Sequence, residues 1–313
     1  MNIKQILMKI GHVLEKFIIK SKDKTRYSPI FIIAPARTGS TLIYQYLTYS
    51  LKLSYIPNIS CKLPISPVII TKIFYFFNSK KLPNDFHSKY GKTKGFKGPN
   101  QGYKIWKRWF PKRKMETIDI VISEDQRREI IGIITSLEKI FKGPFINKWQ
   151  GHGVNILKLN SLFPNALFIR VHRDHLQTAQ SVLKGRREIF DDPYRSISRV
   201  PKSYRKYRDS DYIKQVCAYV LTVENKITED SKTIGSDRFF DVKYEDFCKK
   251  PEEFLKNFIS WYKKKTGYKI QFRNDDYPKE FNISKTKKVS SKELALLKKY
   301  LIDEESNKSG GDL

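Results

Sequence analysis

The sequence predicts an α/β fold: a parallel sheet flanked by helices, in a single domain with two long inserts. Two observations carry this. Short apolar runs bounded by turn residues alternate with longer stretches of helical periodicity, the pattern of strands joined by helical crossovers. One run, Phe31 to Leu42 (FIIAPARTGSTL), passes from an apolar strand through a tight loop into a helix start. With 313 residues, 40% of them hydrophobic, the chain can bury one sizeable core.

Residues 3–18 place Ile3, Ile6, Leu7, Ile10, Val13, Leu14, Phe17 and Ile18 on one helical face, with lysines mainly elsewhere. Such a stripe is expected to pack on the domain or a partner, and a basic amphipathic helix also suits peripheral contact with an anionic membrane. Residues 28–34 read as a buried strand and 41–51 as a helix. Ser66 and Pro67 have the chemistry of an N-cap and first helical position for the next apolar helix. Residues 79–116 are basic, aromatic and rich in Gly and Pro, and read as an irregular insert. Ser123 with Gln126 forms a capping box for a helix to about Phe141. Strands are expected at 145–149, 166–171 and 238–242. Helices are expected at 154–163, 174–184, 212–231, 251–265 and 291–302. A second basic insert spans 185–210, and the last residues, SNKSGGDL, read as disordered. The expected organisation is an N-terminal helix over 1–27, a domain over 28–270 and a Lys-rich tail with one helix over 271–313.

The 61 Lys and Arg against 32 Asp and Glu leave a net charge of +29. That balance points to anionic partners such as a nucleotide, acidic glycan, nucleic acid or membrane surface. Cys61, Cys217 and Cys248 lack metal-ligand spacing and read as reduced thiols. The longest apolar stretch, Pro67 to Phe77, is too short to span a bilayer and carries Lys72. With no signal peptide recognisable at the start, a cytoplasmic protein is expected.

The loop after the first strand points backbone N–H groups and a helix N-terminus at an anion, a P-loop-like arrangement. Gly39 allows close approach, and Ser40 and Thr41 add hydroxyl donors. In a nucleotide-kinase loop, G-x-x-x-x-G-K-[ST], a lysine would stand at Ser40 and a glycine at Ala34. Here the cation comes earlier, at Arg37.

Arg37-Thr38-Gly39-Ser40-Thr41 resembles the 5′-phosphosulfate loop of sulfotransferases that use PAPS (3′-phosphoadenosine 5′-phosphosulfate), with Ala36 where the bacterial pattern has proline. Phe163 to Ser181 (FPNALFIRVHRDHLQTAQS) is similar to a second segment of that family, with Arg173 and Ser181 at the positions that hold the 3′-phosphate. His175 replaces the usual proline. Lys148 matches a strand-end lysine, and Val242 to Phe247 with Pro251 resembles a further segment with a structural role. The resemblance covers about residues 28–265. It implies PAPS as co-substrate, Arg37, Thr38, Gly39, Ser40, Thr41, Arg173 and Ser181 as its ligands, and Arg37 and Lys148 as catalytic cations, without a metal. The acceptor is expected to be a glycan or small molecule carrying a hydroxyl or amine. An alcohol acceptor needs a general base. His87 is the first candidate, His152 the second, and Glu116 and Glu188 follow. The first insert reads as an acceptor-binding lid, although its mix of cations and aromatics also suits stacking on sugars or single-stranded nucleic acid. A P-loop kinase or NTPase, and a basic nucleic-acid-binding protein, are the competing readings; no nucleic-acid motif appears.

Overall fold

A computed structural model describes residues 11, 13–15, 17–19, 24–77, 82, 85–111, 121–283 and 287–309, with side chains to 303. Its centre is a parallel four-stranded sheet in the order β4-β1-β5-β6. The strands are β1 (Ile30–Ile33), β4 (Ile146–Lys148), β5 (Leu167–His172) and β6 (Phe239–Lys243). Strand β1 lies between β4 and β5, with Ile30 opposite both Ile146 and Leu167. All four of its residues are buried, so the unbroken apolar run IFII is what a sheet covered on both faces requires.

The covering helices follow the expected order. Helix α1 (Ser40–Ser50) follows β1 and is buried from Ile43 to its end. Helix α2 (Pro67–Phe77) and the short α3 (Tyr103–Trp106) precede α4 (Glu124–Phe141), whose Ser123–Gln126 capping box is complete. Helix α5 (Ile156–Leu162) leads into β5, and α6 (His175–Phe190) and α7 (Tyr212–Ile234) lead into β6. Helices α8 (Tyr244–Lys249), α9 (Pro251–Thr266) and α10 (Ser291–Ser309) close the chain. Leu297 and Leu301 of α10 are buried in the common core. Among the described residues no helix is long and apolar enough to cross a membrane.

Several expectations need correction. Helix α6 runs to Phe190, six residues further than expected, with Asp191 in the left-handed conformation as its C-cap. Helix α10 continues through Ser309, so Ser306–Ser309 are helical. The first insert contains a hairpin, β2 (Ser88–Lys89) with β3 (Lys92–Thr93), turned by Tyr90 and Gly91, both at positive φ. Its Trp106, Trp109 and Phe110 are buried, so these rings serve the core and cannot form a stacking platform for bases or sugars.

In the described part of the N-terminal segment the apolar stripe faces solvent. Residues 1–10 of the expected stripe lie outside the described residues. Within it, Val13, Leu14, Phe17 and Ile18 are exposed, while Glu15 and Ile19 are buried. The cause is a cap: the Glu15 carboxylate accepts from the backbone N–H of Val68 (2.8 Å) and Ile69 (3.0 Å) at the start of α2. The expected cap, Ser66, has no hydrogen-bond partner for its hydroxyl. Two orphan helix amides thus turn the Glu15 side of the segment inward.

Glu138 is a second buried carboxyl group: its Oε2 accepts from the N–H of Arg26 at 2.9 Å, and its Oε1 has no hydrogen-bond partner. Desolvation raises its pKa to about 8. The unfolded chain releases this proton near pH 4.5 and the folded chain only near 8, so stability falls as pH rises through that window. Glu138→Gln is expected to flatten the decline of melting temperature between about pH 5 and pH 8. Equal slopes in wild type and variant would show that Glu138 is not the source.

Candidate active site

Each strand of the sheet delivers residues to one place from its carboxyl end, where open α/β sheets bind ligands. After β1 comes the loop 34–39. Lys148 ends β4, Arg173 directly follows β5, and Tyr244 directly follows β6. Arg37, Gly39, Lys148, Arg173 and Tyr244 all line a cavity of about 1330 Å³.

The loop is held in an uncommon shape. Arg37 has φ 74° and Gly39 has φ 86°, both in the left-handed region that side chains resist. Several bonds hold it there. The Ala36 N–H donates to the Tyr219 hydroxyl (2.7 Å), the Thr38 hydroxyl to the Pro35 carbonyl (3.1 Å), and Arg173 Nη1 to the Arg37 carbonyl (3.0 Å). Gly39 is the N-cap residue of α1 and has no side chain to cap it, so the amides of the first helical turn are available to an anion. A Cβ on Gly39 would lie 2.1 Å from the Tyr244 ring. Tyr244 also lies beneath Arg173, 4.7 Å from guanidinium to ring centroid. This tyrosine therefore shapes the loop and seats an arginine.

Four cations converge here. Arg37 Nε donates to the Ser181 hydroxyl (3.2 Å), joining the loop to α6. Lys148 is 6% exposed. Burial, then the neighbouring Arg37 charge, depresses its pKa to about 7. Arg173 has its Nε without a hydrogen bond, 4.0 Å from Glu245. Lys288 completes the group. Burial first, then Arg173, Arg37 and Lys184, lower its pKa to about 8. No Asp or Glu stands among the described residues that line the cavity. Burial and then the charge of Arg173 also lower the Arg37 pKa, with Glu188 acting in the opposite direction.

The sequence candidates fall into place unevenly. Arg37, Gly39, Ser40, Thr41, Lys148, Arg173, Ser181 and His87 all line the cavity. Thr38 does not: its buried hydroxyl is turned into the loop. His87 is exposed beside the hairpin, its carbonyl accepting from Gln45 Nε2 at 3.2 Å. His152 is fully buried among Phe31, Trp106 and Trp149, its Nε2 2.9 Å from Asn147 Oδ1. It does not reach the cavity, and desolvation holds its pKa well below the ordinary value. Glu188 is exposed and paired with Lys184 at 3.5 Å. Glu116 lies outside the described residues. Sequence reasoning missed Lys288, the site role of Tyr244, and Tyr90, which lines the cavity with its ring centroid 4.9 Å from the Arg37 guanidinium. Of these, only Tyr244 carried a signal, its place at a strand end.

The sulfotransferase family model matches residues 29–263, three quarters of the chain and every strand of the sheet. The chain belongs to the sulfotransferase family. No curated protein sequence matches it. Two solved structures resemble it in fold. Sulfotransferase STF9 from Mycobacterium avium has 15% identity and a TM-score of 0.53, over 94% of this chain and 72% of that one. Sulfotransferase STF1 from Mycobacterium tuberculosis H37Rv has 11% identity and a TM-score of 0.51, over 96% and 86%. The family and the fold agree on sulfotransfer as the activity.

In this sulfotransferase the Gly39–Tyr244 contact separates two costs. Gly39→Ala is expected to destabilise the fold by roughly 1–3 kcal/mol, from the positive φ and the clash with the ring. Tyr244→Ala placed on top should recover the clash and leave the backbone strain. Urea denaturation of the single and double variants measures this, and strict additivity would show that the ring is not the obstacle.

Proposed function

We propose that this sulfotransferase takes the sulfuryl group of PAPS and transfers it to a hydroxyl or amine on a glycan or small metabolite. The convergence of Arg37, Lys148, Arg173 and Lys288 around a helix N-terminus, with no carboxylate in the described lining, carries the reading. A polyanionic nucleotide offsets both the desolvation and the mutual repulsion of these cations. The loop amides, Ser40, Thr41 and Arg37 hold the 5′-phosphosulfate, while Arg173, Ser181 and Lys288 hold the 3′-phosphate.

The acceptor oxygen or nitrogen attacks sulfur in line, and the bond from sulfur to the 5′-phosphate oxygen breaks. Negative charge grows on that leaving oxygen. Arg37 and Lys148 meet it, which lowers the barrier to the extent that they bind the transition state better than the ground state. Lys148 does this as a cation, so donor binding must restore the proton that burial tends to remove. His87, on the cavity wall, accepts the acceptor proton.

The test is transfer of labelled sulfate from PAPS to an acceptor panel, read by mass spectrometry. ATP and oligonucleotides serve as competing ligands in thermal-shift assays. Arg173→Ala should weaken PAPS by about 1.5–3 kcal/mol, and adenosine 5′-phosphosulfate, which lacks the 3′-phosphate, far less. Equal losses, or stabilisation by ATP alone, would overturn the assignment.

Proton uptake gives an independent check. At pH 8 phosphate monoesters are fully charged, while Lys148, with pKa about 7, and Lys288, about 8, are largely or half neutral in the free protein. An arriving anion raises both values, so binding takes up about one proton, and affinity falls as pH rises. Calorimetry of PAPS binding in phosphate and Tris buffers reads this as a difference in apparent enthalpy, reduced in Lys148→Met. Buffer-independent enthalpies would show that no lysine titrates.

A further inference from the structure

An apolar surface lies outside the cavity and has no role in transfer. On the N-terminal segment Val13, Leu14, Phe17 and Ile18 face solvent, and on α2 so do Ile73, Phe76 and Phe77; Phe17, Phe76 and Phe77 are 78%, 83% and 80% exposed. The two elements are tied together where Glu15 caps α2. Phe74 of α2 contacts Phe96, 5.6 Å between ring centroids, and Phe96 is an exposed residue of the cavity wall. So many large exposed side chains on adjoining elements mark an interaction surface.

The charge these segments carry in the sequence selects the occupant. Residues 67–84, α2 and the sequence after it, carry lysines at 72, 80 and 81 and no Asp or Glu. Residues 1–22 carry lysines at 4, 9, 16, 20 and 22 and a single acid, Glu15, whose carboxylate is buried on the α2 amides. Lys72 is exposed on α2, four residues from Phe76. We propose that the N-terminal segment and α2 form a docking surface for an anionic lipid bilayer. Its aromatic and aliphatic side chains enter the interface, and its lysines meet the headgroups. A second copy of this chain fits less well, because a two-fold contact would set this lysine-rich surface against itself.

Co-sedimentation of the full chain with lipid vesicles tests this without donor or acceptor, so it stands apart from the transfer reading. The protein should partition onto phosphatidylcholine vesicles containing phosphatidylglycerol and not onto phosphatidylcholine alone, and high salt should weaken binding. Phe17→Asp, and Phe76→Asp with Phe77→Asp, should each reduce partitioning about ten-fold or more. These positions are exposed, so the variants should keep the wild-type melting temperature. Failure to bind anionic vesicles would overturn the proposal. So would equal binding by wild type and variants, since net charge alone then suffices. Concentration-dependent dimers lost in Phe76→Asp with Phe77→Asp would assign the surface to self-association instead.

Discussion

Arg37, Lys148, Arg173 and Lys288 share one cavity whose described lining holds no carboxylate, and repulsion among these cations works against the fold. Burial is the largest cause of the depressed Lys148 and Lys288 pKa values, and neighbouring positive charge adds to it. Four free side chains would drift apart. Here they come from separate parts of the chain: the loop after β1, the end of β4, the end of β5, and the segment before α10. The apolar sheet beneath fixes their spacing. Glu245 stands 4.0 Å from Arg173 without lining the cavity, and other acids are paired with other partners. Asp241 and Glu224 hold His172 at 2.9 and 3.1 Å, and Glu293 pairs with Arg187.

The parts of this arrangement that are local in sequence were legible there. A strand, an arginine, a glycine and two hydroxyls in succession define the loop because backbone geometry imposes their order. Arg173 and Ser181 were legible because a strand end and two turns of helix set their separation. Lys288 was not, since it reaches the site from more than a hundred residues beyond Arg173 and lies in a lysine-rich segment where no spacing distinguishes it. Tyr90 was hidden similarly, inside an insert whose hairpin turn has no Asn-Gly signature.

The outcome for two groups of apolar residues has one origin. Periodicity reports which residues lie on one face, and not which face the rest of the protein needs. In the N-terminal segment a single buried Glu15, bonded to two helix amides, turns an aliphatic stripe to solvent. In the first insert the opposite occurs. Trp106 and Phe110 look like a surface platform among lysines, yet the core takes them, and Trp106 Nε1 finds Asn147 Oδ1 at 2.9 Å. Buried polar partners that no local pattern announces decided both cases.

Asn147 also explains why His152 lies so near the site without entering it. Successive strand residues face opposite ways, so β4 sends Lys148 to the cavity and Asn147 to the core beneath. There Asn147 Oδ1 meets both Trp106 Nε1 and His152 Nε2. Desolvation first, then the Lys148 charge, keeps His152 neutral. Neutrality matters here, because an imidazolium below Lys148 would add a further cation and push the Lys148 proton off. A buried, uncharged His152 thus packs under β4, while among the described histidines it is His87 that lines the cavity.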